Sequence, residues 1–227
     1  MKSRISKQSI VYNRQFLLLI VHCLLSTVSC IAQQKTVQYT KDFEFRNGIY
    51  LSFLDFKNNN PIPSSKIVSD YNKNSHEFFD KVLSKNTFTC VDGFGKEQTL
   101  NTNEMWGYCQ SGLIYIHHGT DFNRVTIIGS ICHFVATVPM KVGISDPFYY
   151  DQPFGTPQQY IYVSEQFILD FESGKVLSFN VDNMEGILQR DETLYKEFTA
   201  LKKKKKRDMI FVYLRKYNEK HPIYFPE

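Results

Sequence analysis

The residues that could do chemistry are few and scattered. His117 and His118 are adjacent, Cys132 precedes His133, and Cys109 stands upstream of both. A cysteine near a histidine suggests a thiolate activated by a base, and paired histidines suggest a metal. Both local pairs lie in stretches with strand periodicity, where neighbouring side chains point to opposite faces. Neither pair can therefore share one ion or one proton. A pair assembled from different strands, Cys109 with His133, depends on the fold alone. No G-x-S-x-G elbow, H-E-x-x-H helix, P-loop or C-x-x-C pair is present. Carboxylates are numerous but dispersed, and a glycosidase pair would be recognised only by its separation in space. The sequence assigns no catalytic residue, metal ligand or cofactor.

Two stretches are suited to contact instead. Residues 139–159 hold Phe148, Tyr149, Tyr150 and Phe154 among four of the chain's prolines. Prolines reduce the entropy a loop loses on binding, and loop aromatics are common contact residues. Such rings also serve as cover over a sheet edge, so both readings stand. The second stretch is the run Lys202, Lys203, Lys204, Lys205, Lys206 and Arg207. It reads as a solvated helix end, or as a weak contact with anionic headgroups worth about 1 kcal/mol per base.

The elements that must position these residues follow from periodicity. From residue 104 to 138 apolar residues recur two apart: Trp106 and Tyr108, Leu113 and Tyr115, Val125 and Ile127, then Cys132, Phe134, Ala136 and Val138. Turn residues separate the runs, which predicts an antiparallel β-meander. A hairpin around Asp92-Gly93 leads into it, giving about six short strands. A later hairpin spans residues 160–179. Ser52 and Asp55 have capping-box spacing for one short helix, and residues 76–84 suit another. Asp191 is a helix N-cap ahead of Leu194, Phe198 and Leu201, while Ile210, Leu214 and Tyr217 form a second stripe. The two stripes lie roughly 160° apart on one straight helix, which predicts a break near the lysines and a helical pair. The lysines then suit the negative end of the first helix. The fold class expected is α+β, with short N-terminal helices, a central meander and C-terminal helices.

Composition bounds the rest. The chain has 227 residues, with 27 Lys and Arg against 23 Asp and Glu. Lys2, Arg4, Lys7 and Arg14 precede an apolar run from Phe16 to Leu25, and Cys30 and Ala32 supply small residues before Gln33. This is a secretory signal pattern with cleavage after Ala32; lipidation at Cys30 is the less favoured alternative. Four bases and no acids lie in residues 1–32, so residues 33–227 balance at 23 of each sign. The basic excess belongs to the leader and excludes a nucleic-acid footprint. Residues 33–227 suit a single α+β domain: a β-rich core over 33–138, the aromatic loop over 139–159, a hairpin over 160–180 and helices over 182–220. No transmembrane span follows the leader. Cys90, Cys109 and Cys132 remain: Cys109 with Cys132 would form a disulfide if their strands are neighbours, and the alternative is that all three are small buried hydrophobes.

Three segments carry a resemblance: GIYLSFLDFKNNNP, MWGYCQSGLIYI, and the tail from YIYVSEQFILDFESGKVLSFNVDNMEGILQRDETLYKEF to LRKYNEKHP. They resemble uncharacterised secreted proteins of Bacteroidetes-type bacteria, with a Gly-Ile-Tyr opening, a Trp-Gly-Tyr strand and C-terminal helices. The resemblance implies export and a single unit, and carries no site. The expected function is an exported, non-catalytic binding module of the cell envelope, periplasmic or secreted, with an envelope protein, peptide or glycan as partner. An envelope hydrolase and a structural component of a surface assembly are the alternatives. The loop separates its two readings by mutation: Tyr149→Ala with Tyr150→Ala should leave the melting temperature unchanged if the rings face a partner. A loss of roughly 3–5 kcal/mol per ring would make them cover.

Overall fold

A computed structural model describes residues 35–142 and 159–226. Val37–Pro226 forms one compact unit. Its frame is a seven-stranded antiparallel sheet of β2 (Gly48–Tyr50), β6 (Gly107–Gln110), β7 (Leu113–His118), β8 (Asp121–Ile127), β9 (Ile131–Val142), β10 (Gln159–Asp170) and β11 (Val176–Ser178). The order is β11-β10-β9-β8-β7-β6-β2, a meander with the early Gly-Ile-Tyr strand added at one edge. Two smaller sheets accompany it: β1 (Thr36–Gln38) with β12 (Tyr224–Pro226), and β3 (Ile67–Val68), β4 (Thr87–Val91) and β5 (Glu97–Asn101). The class is α+β.

Local chemistry explains the short elements. Helix α1 (Phe53–Lys57) has its complete capping box: Ser52 Oγ accepts from the Asp55 amide at 3.2 Å, and Asp55 Oδ2 accepts from the Ser52 amide at 2.8 Å. Helix α2 (Phe78–Leu83) buries Phe78, Phe79, Val82 and Leu83. The β4–β5 turn is tied by Asp92 Oδ1, which accepts from the amides of Phe94 and Lys96. Gly119 turns β7 into β8 with φ +72°, a left-handed value that a side chain resists.

Alternation divides the sheet into two buried faces. Tyr50, Cys109, Ile114, Ile116, Val125, Cys132, Phe134, Phe167 and Leu169 face α1 and the terminal segments carrying Phe45 and Phe225. On the opposite face, Ile131 and Ile168 meet the C-terminal helices α3 (Val181–Leu188), α4 (Glu192–Thr199) and α5 (Lys203–Lys220). Ile49 and Tyr108, at the far end of that face, meet α2 and the small sheet.

Several expectations change. The β4–β5 hairpin is not part of the meander: it pairs with β3 and joins β6 through the 3-10 turn Thr102–Glu104. Trp106 precedes β6 and turns away from Tyr108, stacking on Phe56 with ring centroids 4.5 Å apart. A register shift between Val125 and Ile127 sends these two residues to opposite faces, because a bulge inserts one residue into the alternation. Strand β9 continues past Pro139 to Val142 and β10 begins at Gln159, so the ends of the expected loop are a hairpin stem.

The C-terminal part holds three helices instead of two, since Asn180 caps α3 and Met184, Ile187 and Leu188 give it a buried stripe. The break before α5 is at Leu201 and Lys202, leaving Leu201 half-buried and Ile210 buried. Four lysines thus open α5 at its positive end, an arrangement that costs about 0.3–1 kcal/mol per charge. Packing of Ile210, Tyr213, Leu214 and Tyr217 and the 2.7 Å Lys206–Glu185 ion pair offset it. Buried Asp191 caps α4 through the Leu194 amide and binds Lys220 and His221, clamping both ends of the α4–α5 hairpin. Arg190 grips Asp170 with two 2.9 Å hydrogen bonds, joining the helices to β10.

The first amides of α5 have no intrahelical acceptor. Hydrogen exchange should find Lys203, Lys204 and Lys205 poorly protected between protected segments around Phe198 and Leu214. Uniform protection across residues 191–217 would contradict the break.

Candidate functional site

The sequence-marked histidines and cysteines are held apart. Cys109 points into the core shared with α1, where burial pushes its thiol up to about 12. His133 lies on the opposite face of the sheet, against Phe179 and Phe211 of the helical layer. The Cys109–His133 arrangement is therefore absent. Cys132 is also protonated, its thiol raised to about 12 by burial, and it donates to the Gly129 carbonyl at 3.2 Å. Cys109 and Cys132 are free thiols: β7 and β8 intervene, and three strand spacings of about 4.8 Å exceed the reach of a disulfide.

The three strand histidines fill structural places. His118 packs on Phe167 and His117 on Phe122, on opposite faces of β7. Burial lowers the pKa of all three, holding them neutral near pH 7. One neutral tautomer satisfies His133, donating from Nε2 to Gln166 Oε1 at 3.0 Å and accepting the Thr126 hydroxyl at Nδ1 at 2.9 Å.

The aromatics Phe148, Tyr149, Tyr150 and Phe154 lie outside the described residues. The stem that carries them exposes Met140 and Ile161, directly opposed across β9 and β10, and Tyr160 and Tyr162 on the other face. Lys203, Lys206 and Arg207 line a cavity of about 680 Å³ floored by Phe179, Leu201 and Ile210.

A second cavity, about 490 Å³, gathers polar groups that no sequence motif marked. Its wall is the sheet face bearing Tyr108, His117 and Phe122, which alternation and pairing place together. Its sides are Asp80 on α2, Lys85 and Asn86 entering β4, and Thr102 and Asn103 in the 3-10 turn after β5. The Tyr108 hydroxyl donates to Asp80 Oδ1, joining the two layers. Burial, reinforced by the Asp80 bond, raises the Tyr108 pKa and keeps the phenol protonated. The backbone around Thr102 is satisfied, its amide donating to the Asn86 carbonyl at 2.9 Å. Its side chain is not: among the described residues Oγ1 has no hydrogen-bond partner, and it is closed off from the open space of the cavity, Thr102 being 4% exposed. An orphaned buried hydroxyl costs about 1–3 kcal/mol. Among the described residues no three His, Cys, Asp or Glu side chains converge as metal ligands.

Residues 48–221 match a Family of unknown function (DUF6563). The chain belongs to the DUF6563 family. The matched stretch contains the whole polar cavity, the lysine run and the helical layer of this DUF6563 member. No curated protein and no solved structure matches the chain.

The neutral histidines fix a pH dependence. Their folded pKa values lie below the unfolded value of about 6.5, so the unfolded chain binds more protons as pH falls. Stability should be full above about pH 7 and fall towards pH 5, by at most about 1.4 kcal/mol per pH unit for each ring. His117 and His118, which water reaches, contribute less. Urea titrations from pH 7.5 to 5 measure this, and His133→Gln should flatten the slope.

Proposed function

We propose that this DUF6563 member is an exported, non-catalytic binding module of the cell envelope, and that its polar cavity takes a small ligand. The observation that carries the reading is the ring wall of Tyr108, His117 and Phe122 beside a mixed set of donors and acceptors in one cavity. A cavity of this size is in the range of small-molecule sites. The shifts in it favour recognition over reaction. Tyr108 is kept protonated and His117 neutral, the forms that exchange hydrogen bonds with an uncharged ligand.

Export rests on the leader pattern, and no described helix is long and apolar enough to cross a membrane. The exposed stem residues Tyr160, Ile161 and Tyr162 support the aromatic loop as a second contact with an envelope partner. The exposed bases Lys202, Lys203, Lys204, Lys205 and Arg207 support a weak contact with anionic headgroups.

Two measurements test the reading. Intact mass of the protein recovered outside the cytoplasm should begin at Gln33; an acylated species beginning at Cys30 makes it a lipoprotein, and an unprocessed cytoplasmic chain overturns export. A library of small polar fragments, screened by amide chemical shifts, should perturb Thr102, Asn103 and His117 and be recovered unchanged. Fragments converted to products would make the protein an enzyme.

A further inference from the structure

We propose that the cavity walled by Tyr108, His117 and Phe122 is a subsite for one neutral sugar unit. This rests on the binding reading above and names its ligand class. Three features of the cavity select that chemistry.

The first is unmet hydrogen bonding. Among the described residues the half-buried His117 ring, kept neutral, has no side-chain hydrogen bond, and the exposed side-chain amides of Asn86 and Asn103 line the same cavity. A ligand hydroxyl both donates and accepts, so it can satisfy a side-chain amide and a neutral imidazole together. The second is near-balanced charge. Asp80, Asp121 and Lys85 line the cavity together, and each is already partly engaged: Asp80 by Tyr108, Asp121 by the Thr120 hydroxyl at 2.9 Å, Lys85 over the Tyr71 ring. Two carboxylates oppose a phosphate or carboxylate ligand, and an apolar ligand would leave the polar lining unpaired. The third is the wall itself. Phe122 meets Tyr108 edge-on at 5.3 Å and leans on His117 at 4.9 Å, forming a fixed apolar surface beside the donors and acceptors. A pyranose has that pairing of surfaces, with C–H groups on one face and hydroxyls around its rim.

The rim residues Asp80, Lys85, Asn103 and Asp121 are exposed, so the bound unit can be a free sugar or the end of a glycan. Amide shifts of the full-length protein would be followed during titration with glucose, galactose, mannose, N-acetylglucosamine and their disaccharides, and with the cationic amino sugar glucosamine. At least one should shift Thr102, Asn103, His117 and Phe122 saturably. A tighter disaccharide identifies a glycan end, and equal affinities identify a free sugar; both support the subsite.

His117→Phe removes the imidazole nitrogens and keeps a ring against Phe122. The variant should stay folded and bind about tenfold more weakly. Phe122→Leu keeps apolar cover but loses the ring, and should also weaken binding. Absence of saturable shifts with every sugar overturns the proposal, as does binding unchanged in both variants. Binding of amino sugars alone also overturns it, in favour of a cation site, and leaves the binding reading intact. Cleavage of a bound disaccharide would instead support the sugar class and sink the non-catalytic reading.

Discussion

The β9–β10 pairing is the constraint on which the rest depends. Twelve residues of each strand are in register, from Ile131 opposite Asp170 to Val142 opposite Gln159. Because alternate side chains go to opposite faces, the first half of β9 serves two cores at once. Cys132, Phe134 and Ala136 face α1 and the terminal segments, whereas Ile131 and His133 face the helices. A slip of one residue would exchange these sets and bury His133 where Phe134 belongs. The helical layer is then fixed to the same hairpin by the Arg190–Asp170 pair. Burial pushes the Asp170 carboxyl up, but the bonds from Arg190 and Ser173 bring it below the usual range, so the clamp stays charged at neutral pH.

Local features were legible in the sequence. The Ser52–Asp55 capping box, the Asp92 turn and the Asp191 N-cap each act within a few residues and were marked at the right positions. Long alternating runs also gave the meander and the face of Cys132, Phe134, Ala136 and Val138. The features that were not legible depend on distant partners. The bulge after Val125 is set by the match of β8 to β9 and leaves no compositional mark. The β4–β5 hairpin resembles a meander strand pair, and only its pairing with β3 separates it. The lysines gave the break between helices but not its side, because the packing of Ile210, Leu214 and Tyr217 outweighs an unfavourable helix dipole.

The polar cavity illustrates why sites are harder to read than folds. Its groups come from α2, the entry to β4, the turn after β5, and strands β6, β7 and β8. No two of the decisive residues, Asp80, Tyr108 and His117, form a local motif. His117 drew attention as half of a His-His pair, yet its role depends on Phe122, which faces it across β7 and β8.

Under the proposed export from the reducing cytoplasm, the three buried thiols set an order of events for the chain. Cys109 and Cys132 are shielded by one core and Cys90 by another. None can gain a native bridge, so oxidation before folding yields only wrong pairings or cross-linked chains. Sheet closure must therefore outrun oxidation, and the chain carries its own record of that race. Alkylation of Cys90 alone would report opening of the small-sheet layer, while modification of Cys109 and Cys132 would report loss of the meander itself.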